Sequence, residues 1–465
     1  MYPYIEYKDK VIFDDNFNEN FTPLMIELFK KKRFIHLGKK FNKSISKIPD
    51  NIKELYFCGN FNKSINGLHD NIEKLTLNCN FNKKIIKLPT KLKELFLGNK
   101  FNKQINRNNL GNINCLFLGE NFNLPLDNLP ETLLSLTITG KYRQPLDNLP
   151  SNLKNLILEI DNFYWIDIEK LPKTLKFLKL GGNFNQPISG LLPDNLEQLE
   201  LGDDFNDSLN NLPSKLRSLY LGYYFNQSVD NLPFGMKILR FSYMGIFNFT
   251  IDNLPGSIEY LYVNGDAYNI PINRLPEKLI VFELNGRYNT EINNFPSGLK
   301  ELSIDGYFNQ PIENLPKTLE KLTIEGYFNH PIDNLPAGLK TLKLGIHFEH
   351  PVDNLPAGLK KLHIGTYFNQ AIDFLPYCLK NLKLGRDFNQ PVNNLPPNLK
   401  KLTFGESFNQ DVSNLPRNLK KIKFGCRFNK RLINLPENLD TLILEEDYQF
   451  KDEIEKNYPR IFYFY

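Results

Sequence analysis

Residues 339–356 read LKTLKLGIHFEHPVDNLP, and the way this stretch must fold decides the architecture. From Leu342 to Leu344 apolar and polar residues alternate, which is the period of a β-strand with one buried face. Gly345 permits the bend that ends the strand. Pro351 and Pro356 remove amide donors and favour extended backbone, so the return leg is not a helix. A segment of this size has no room for a strand, a full helix and two turns. Each copy is therefore expected to be one short strand and an irregular return around an apolar interior.

The pattern recurs along nearly the whole chain. A Phe-Asn pair or a close variant stands at Phe41, Phe61, Phe81, Phe101 and Phe122, then at Phe184, Phe205, Phe225 and Phe247. From Tyr268 to Phe428 every step is 20 residues. Degenerate copies at Tyr142 and Phe163 fill the wide gap, giving about 20 coils of about 20 residues. A chain of 465 residues would ordinarily divide into several globular domains, but an array of this kind is one solenoid. Its strands can pair only with the equivalent strand of the next coil, giving a parallel ladder with a spacing of about 4.8 Å. The expected fold is a β-solenoid, a leucine-rich-repeat-like superhelix with one parallel strand per coil and short helical caps. Repeated aromatics such as Phe348, Phe368 and Phe388 should stack as an internal spine. The Asn that follows (Asn369, Asn389, Asn409) should satisfy backbone amides where the chain turns inward. A second Asn (Asn334, Asn354, Asn394, Asn414) is expected to do the same on the return leg.

The ends depart from the repeat. Residues 1–33 form an N-terminal capping segment, in which Thr22-Pro23 opens a short helix to about Lys32. The repeats occupy 34–444. Residues 445–465 form a C-terminal cap, with a helix near Lys451 to Lys456 and the apolar run Ile461 to Tyr465 docking over the open end of the core.

Units of the type FNQPIDNLPAGLKKL resemble FNIP repeats, named for a Phe-Asn-Ile-Pro signature. The resemblance covers roughly residues 34–444. It implies kinship with leucine-rich repeats, although the Asn here lies two places later than in the usual spacing. It also implies an origin in slime moulds or giant viruses of amoebae, in line with abundant Asn, Lys, Ile, Phe and Tyr, whose codons are AT-rich. Members generally lack an enzymatic activity. Many viral members carry an N-terminal F-box of about three helices; residues 1–33 offer one helix, so a complete F-box is not expected.

Composition excludes other classes. With 41% hydrophobic and 13% aromatic residues the chain is not disordered. No apolar run approaches the ~18 residues of a membrane span, and MYPYIEYKDK lacks the apolar core of a secretory signal. Five cysteines without CxxC spacing argue against a disulfide framework or zinc site and favour a reducing compartment. A net charge of +5 over this length does not mark a nucleic-acid binder.

No catalytic, cofactor or metal residues are expected. His330 and His350 share a repeat position, with His347 nearby, but elsewhere that position holds Gln310, Gln370 and Gln390, so a polar row is the simpler reading. Asp203, Asp204 and Asp207 cluster at one turn, where Asp serves local hydrogen bonding. The strand face is the candidate partner-binding surface. Its outward residues include Lys343, Lys361, His363, Lys383, Lys401, Lys421 and Lys423 towards the C-terminus, with Lys340, Lys360, Lys380, Lys400 and Lys420 on the rim. Towards the N-terminus they include Tyr56, Phe96, Phe117, Tyr220, Tyr260 and Tyr262. Stacking should turn the lysines into a continuous stripe. The expected function is a non-enzymatic scaffold for a protein partner, with acidic character matching the lysines, in a cytoplasm (the host's, for a viral protein). The alternatives are a ubiquitin-ligase substrate adaptor and a structural component of a virus particle. No feature of the sequence sets an oligomeric state.

Overall fold

Leu342 and Leu344 point inward and are buried while Thr341 and Lys343 remain half-exposed, so the alternation of the sequence becomes the strand Thr341–Leu344. This holds throughout a computed structural model that describes residues 3–161, 165–457 and 462–464. The protein is a parallel β-solenoid with few helices. Pairing is in register: Thr341 faces Lys361, Leu342 faces Leu362 and Lys343 faces His363. A slip of one place would turn every buried leucine to solvent, so the leucine columns enforce that register.

The chain divides into two compact units, residues 1–225 and 226–465. The first opens with an antiparallel hairpin of β1 (Tyr4–Glu6) and β2 (Lys10–Phe13). Helix α1 (Pro23–Phe29) follows, capped by Thr22, whose Oγ1 accepts the N–H of Met25 at 3.3 Å. It ends before the expected Lys32. β2 then pairs in parallel with β3 (Phe34–Leu37), so the ladder begins inside the segment read as a cap. Parallel strands continue to Ser218–Leu221. The second unit runs from Ile238–Phe241 to Thr441–Leu444, followed by the helix Lys451–Asn457. Its last strand, Phe462–Phe464, pairs in parallel with Thr441–Leu444. Ile461 and Tyr465, expected in the terminal cap, and the repeat copy at Phe163 lie outside the described residues.

The aromatic spine forms as expected. In the second unit the rings from Phe247 through Tyr268 and Phe348 to Phe428 stack with centroids 5.8–6.3 Å apart and planes within 17°. The Asn behind the spine also acts as expected: Asn369 Oδ1 accepts the backbone N–H of Asn389 at 2.9 Å. The second Asn does not. Asn354 and Asn394 donate across the exposed surface to Asp333 and Asp373 of the preceding coil. The return leg is closed instead by a backbone turn, in which the Leu359 N–H donates to the Pro356 carbonyl at 3.0 Å, repeated at Leu379 and Pro376. Proline supplies the fixed φ and the turn supplies the partner, so no side chain is needed there.

The glycine that ends each strand shifts by one place within the second unit. Gly306 and Gly326 stand immediately before Tyr307 and Tyr327, with φ of +89° and +67°. From Gly345 onward the glycine stands one residue earlier, at Gly365, Gly385, Gly405 and Gly425. A Cβ at Gly385 would lie 1.8 Å from the carbonyl oxygen of Gly365, so the coils exclude any side chain from this column.

Candidate partner-binding face

The first and third residues of each strand face outward, because the second and fourth fill the core. In the second unit this gives two columns. One holds Thr341, Lys361, Asn381, Lys401 and Lys421; the other holds Lys343, His363, Lys383, Thr403 and Lys423. The continuous stripe expected from the sequence is therefore two columns, each interrupted, by Asn381 in one and by His363 and Thr403 in the other. The uninterrupted row is the rim. Along Lys340, Lys360, Lys380, Lys400 and Lys420, each backbone N–H after the first donates to the preceding lysine's carbonyl at 2.7–2.9 Å.

Elsewhere these columns carry cross-coil ion pairs, interrupted by single like-charge steps such as Arg33 to Lys53 and Lys154 to Lys176. Lys53 pairs with Glu73 at 2.8 Å, Lys74 with Glu94 at 2.8 Å and Lys176 with Glu197 at 2.7 Å. In the second unit Lys237 pairs with Glu259, Lys321 with Glu301 at 3.1 Å and Lys340 with Glu320 at 2.6 Å. Lys343 is held by Glu325 at 2.6 Å. Beyond these the ion pairing on the columns stops. Lys360, Lys380, Lys400 and Lys420 are exposed and follow one another, as do Lys361, Lys401 and Lys421 around Asn381, with no acidic residue on either column until Asp440. Like charges at coil spacing repel, so this longest like-charge run forgoes the ion pairing found at the coils named above. Between Lys343 and Lys383, half-buried His363 has its pKa lowered to about 4 by burial and by those two ammonium groups. Its ring is neutral at pH 7.

The aromatic residues expected on the same face are present and half-buried. Tyr220 lies in the first unit, in register with Glu200. Tyr260 and Tyr262 lie in the second, and the Arg240 guanidinium sits 4.1 Å over the Tyr262 ring. In the first unit Tyr56 meets His36 edge-on at 4.5 Å, and Phe96 stacks on Phe117 at 6.0 Å. A further aromatic row was missed in the sequence. Exposed Tyr307, Tyr327 and Tyr367, with half-buried His347 among them, form a ladder with centroids 4.6–5.2 Å apart, at the position just before the spine. The signal was a Tyr preceding Phe at 307, 327 and 367.

The remaining candidates resolve into local structure. His330 and His350 place Nε2 at 3.1 and 3.0 Å from the carbonyls of Asn309 and Asn329. Among the described residues no group of three or more His, Cys, Asp or Glu could hold a metal ion. Asp203 accepts the Tyr223 N–H, Asp204 accepts from Asn183, and Asp207 accepts the Ser208 N–H, so each carboxylate braces a turn. No helix among the described residues is long and apolar enough to cross a membrane.

Comparison with known proteins agrees with this geometry. The FNIP Repeat family model matches residues 165–204, 184–211, 288–327, 348–387 and 388–427. The crystal structure of CroV588, a circular leucine-rich-repeat protein from a giant virus, is similar over 100% of both chains, with 25% identity and a TM-score of 0.55. Weaker likeness extends to YopM from Yersinia enterocolitica (19% identity, 80% of this chain and 86% of that chain, TM-score 0.45). It extends also to a chain of the Toll–Spatzle complex of Drosophila (14% identity, 95% of this chain and 65% of that chain, TM-score 0.47). No curated protein matches the chain. Strand ladder, aromatic spine and repeat-model matches converge: the chain carries FNIP repeats within a leucine-rich-repeat-like solenoid.

Proposed function

We propose that the chain is a non-enzymatic scaffold that captures an acidic protein partner on the strand face of its C-terminal coils, working in a cytoplasm. The observation that carries this reading is the run of exposed rim lysines from Lys360 to Lys420 with no acidic rim residue between them. Upstream, coils exchange ion pairs; from Lys360 to Lys421 they present unopposed ammonium groups on two neighbouring columns. Such an array attracts an acidic surface and speeds its encounter. The stacked coils of the second unit supply a continuous strand face of the kind a specific protein interface needs.

The test introduces alternation. Lys360→Glu with Lys400→Glu gives the rim the sign pattern found at Lys53 and Glu73, and should leave folding intact. Partners recovered from host-cell lysate with the wild-type chain should be lost with this variant, and wild-type capture should weaken steeply between low and physiological salt. Retention of the same partners, with the same salt dependence, would sink the proposal.

A further inference from the structure

The glycine column of the second unit has a consequence for recognition. The glycines stand two residues after Lys343, His363, Lys383, Thr403 and Lys423, and because a Cβ there would strike the preceding coil's backbone, they leave bare main chain beside that outward column. In the coils before the shift, that position, fifth from the start of the strand, carries Asn285, Asp305 or Glu325, whose side chains fill it. From Gly345 to Gly425 nothing fills it. The result is a trench of about 320 Å³ over Gly365, Gly385, Gly405 and Gly425. One wall is His363, Lys383, Thr403 and Lys423; the other is Thr366, Arg386 and Glu406. Cys426, the exposed residue after Gly425, stands at the end of that second wall.

Four coils at about 4.8 Å make a trench roughly 15 Å long, the span of about four or five extended residues. A floor without Cβ atoms lets another main chain approach closely. Lys383, Lys423 and Arg386 outnumber Glu406 and Asp387, the latter paired with Arg386 at 2.9 Å, so the walls keep a positive balance. We propose that this trench receives an extended, acidic segment of the partner protein, its backbone over the glycine column and its carboxylates reaching Lys383, Lys423 and Arg386. The inference rests on the reading of this face as a protein-binding surface and names the element it holds. The neutral ring of His363, flanked by Lys343 and Lys383, is available to a carboxylate as a hydrogen-bond donor.

The test uses the full chain and a short oligo-glutamate peptide. Bound peptide should protect Cys426 from alkylation, followed residue by residue by mass spectrometry, while exposed Cys378, outside the trench lining, reacts at an unchanged rate. Thr403→Trp, which fills the trench and leaves every charge in place, should weaken peptide binding at least tenfold; Thr403→Ser should not. Thr366→Trp blocks from the opposite wall, and each variant is checked by thermal melting. Unprotected Cys426, or full affinity in both tryptophan variants, overturns the trench. Equal protection by inorganic tripolyphosphate, which has no peptide backbone, also overturns it by showing undirected anion attraction. Loss of lysate partners on rim charge reversal but not on Thr403→Trp would refute the trench and leave the scaffold reading standing. Loss under neither would refute both.

Discussion

Asn389 and Asn409 stand at the same position of successive coils, and the side chain of the first holds the backbone of the second. Asn389 Oδ1 accepts the Asn409 N–H at 2.9 Å and also the Gln410 side-chain amide at 3.2 Å. The backbone amide is part-buried and its direction is fixed by the coil, so the side chain is its available acceptor. Asn389→Ala should destabilise by about 1 kcal/mol. Asn389→Asp, which keeps an acceptor oxygen at the same place, should cost less. Urea denaturation of both variants checks the order, and hydrogen exchange should localise the loss in the Ala variant to the Asn409 amide.

Two tyrosines in the phenylalanine spine should respond oppositely to the same change. The Tyr268 hydroxyl is buried with no hydrogen-bond partner among the described residues, and burial raises its pKa. The neighbouring Tyr288 hydroxyl accepts the Ile272 N–H and donates to the Glu291 carbonyl, both at 3.4 Å. Tyr268→Phe removes an unsatisfied group and should stabilise by about 1 kcal/mol; Tyr288→Phe strands a buried amide and should destabilise by about as much. The urea midpoint should rise in the first and fall in the second.

His363 adds a pH dependence of defined sign. Its folded pKa, about 4, lies below the ordinary value of 6.5, because the half-buried ring sits between Lys343 and Lys383. Below pH 6.5 the unfolded state binds the proton first, so stability contributed by the neutral ring is lost as pH falls from 6.5 towards 4. The stability of wild type relative to His363→Gln should therefore fall as pH drops across that window. Lys383→Gln should raise the His363 pKa, read by NMR titration of the ring.

Unopposed lysines predict a salt response. Added salt screens repulsion along Lys360, Lys380, Lys400 and Lys420 and should raise the melting temperature of the wild-type chain. Lys380→Glu, placed between two rim lysines, should raise it at low salt and reduce the gain from added salt. Lys176→Glu in the first unit should do the reverse at low salt, because it replaces the ion pair to Glu197 with like charges. Differential scanning fluorimetry at two salt concentrations checks both.

The period, the leucine columns and the aromatic spine were legible because each repeats one residue type at one spacing, as at Phe348, Phe368 and Phe388. The assignment of lysines was less so. The rim position of Lys360 followed from its place one residue ahead of the strand, but the breaks at Asn381, His363 and Thr403 became plain only once the strands were in register. The hairpin at Tyr4–Phe13 was not read because its strands are three and four residues long and no Asn-Gly or Gly-Gly pair marks the turn. The role of Asn354 was misread because the Pro356 to Leu359 turn already satisfies the backbone there. The glycine shift at Gly345 was visible in the letters. Its meaning emerged only when successive coils showed the fifth strand position left open.

The uniform step from Tyr268 to Phe428 makes the second unit a ruler graduated in whole coils. Removing residues 369–388 would join Phe368 to Asn389 and leave every seam chemically equivalent, with the lysine rim, the spine and the trench each shorter by one graduation. Duplicating the same residues would lengthen all three together. Reach and fit in this protein therefore change in discrete increments, and a lineage could match a partner of different length by copying a coil without inventing a new surface.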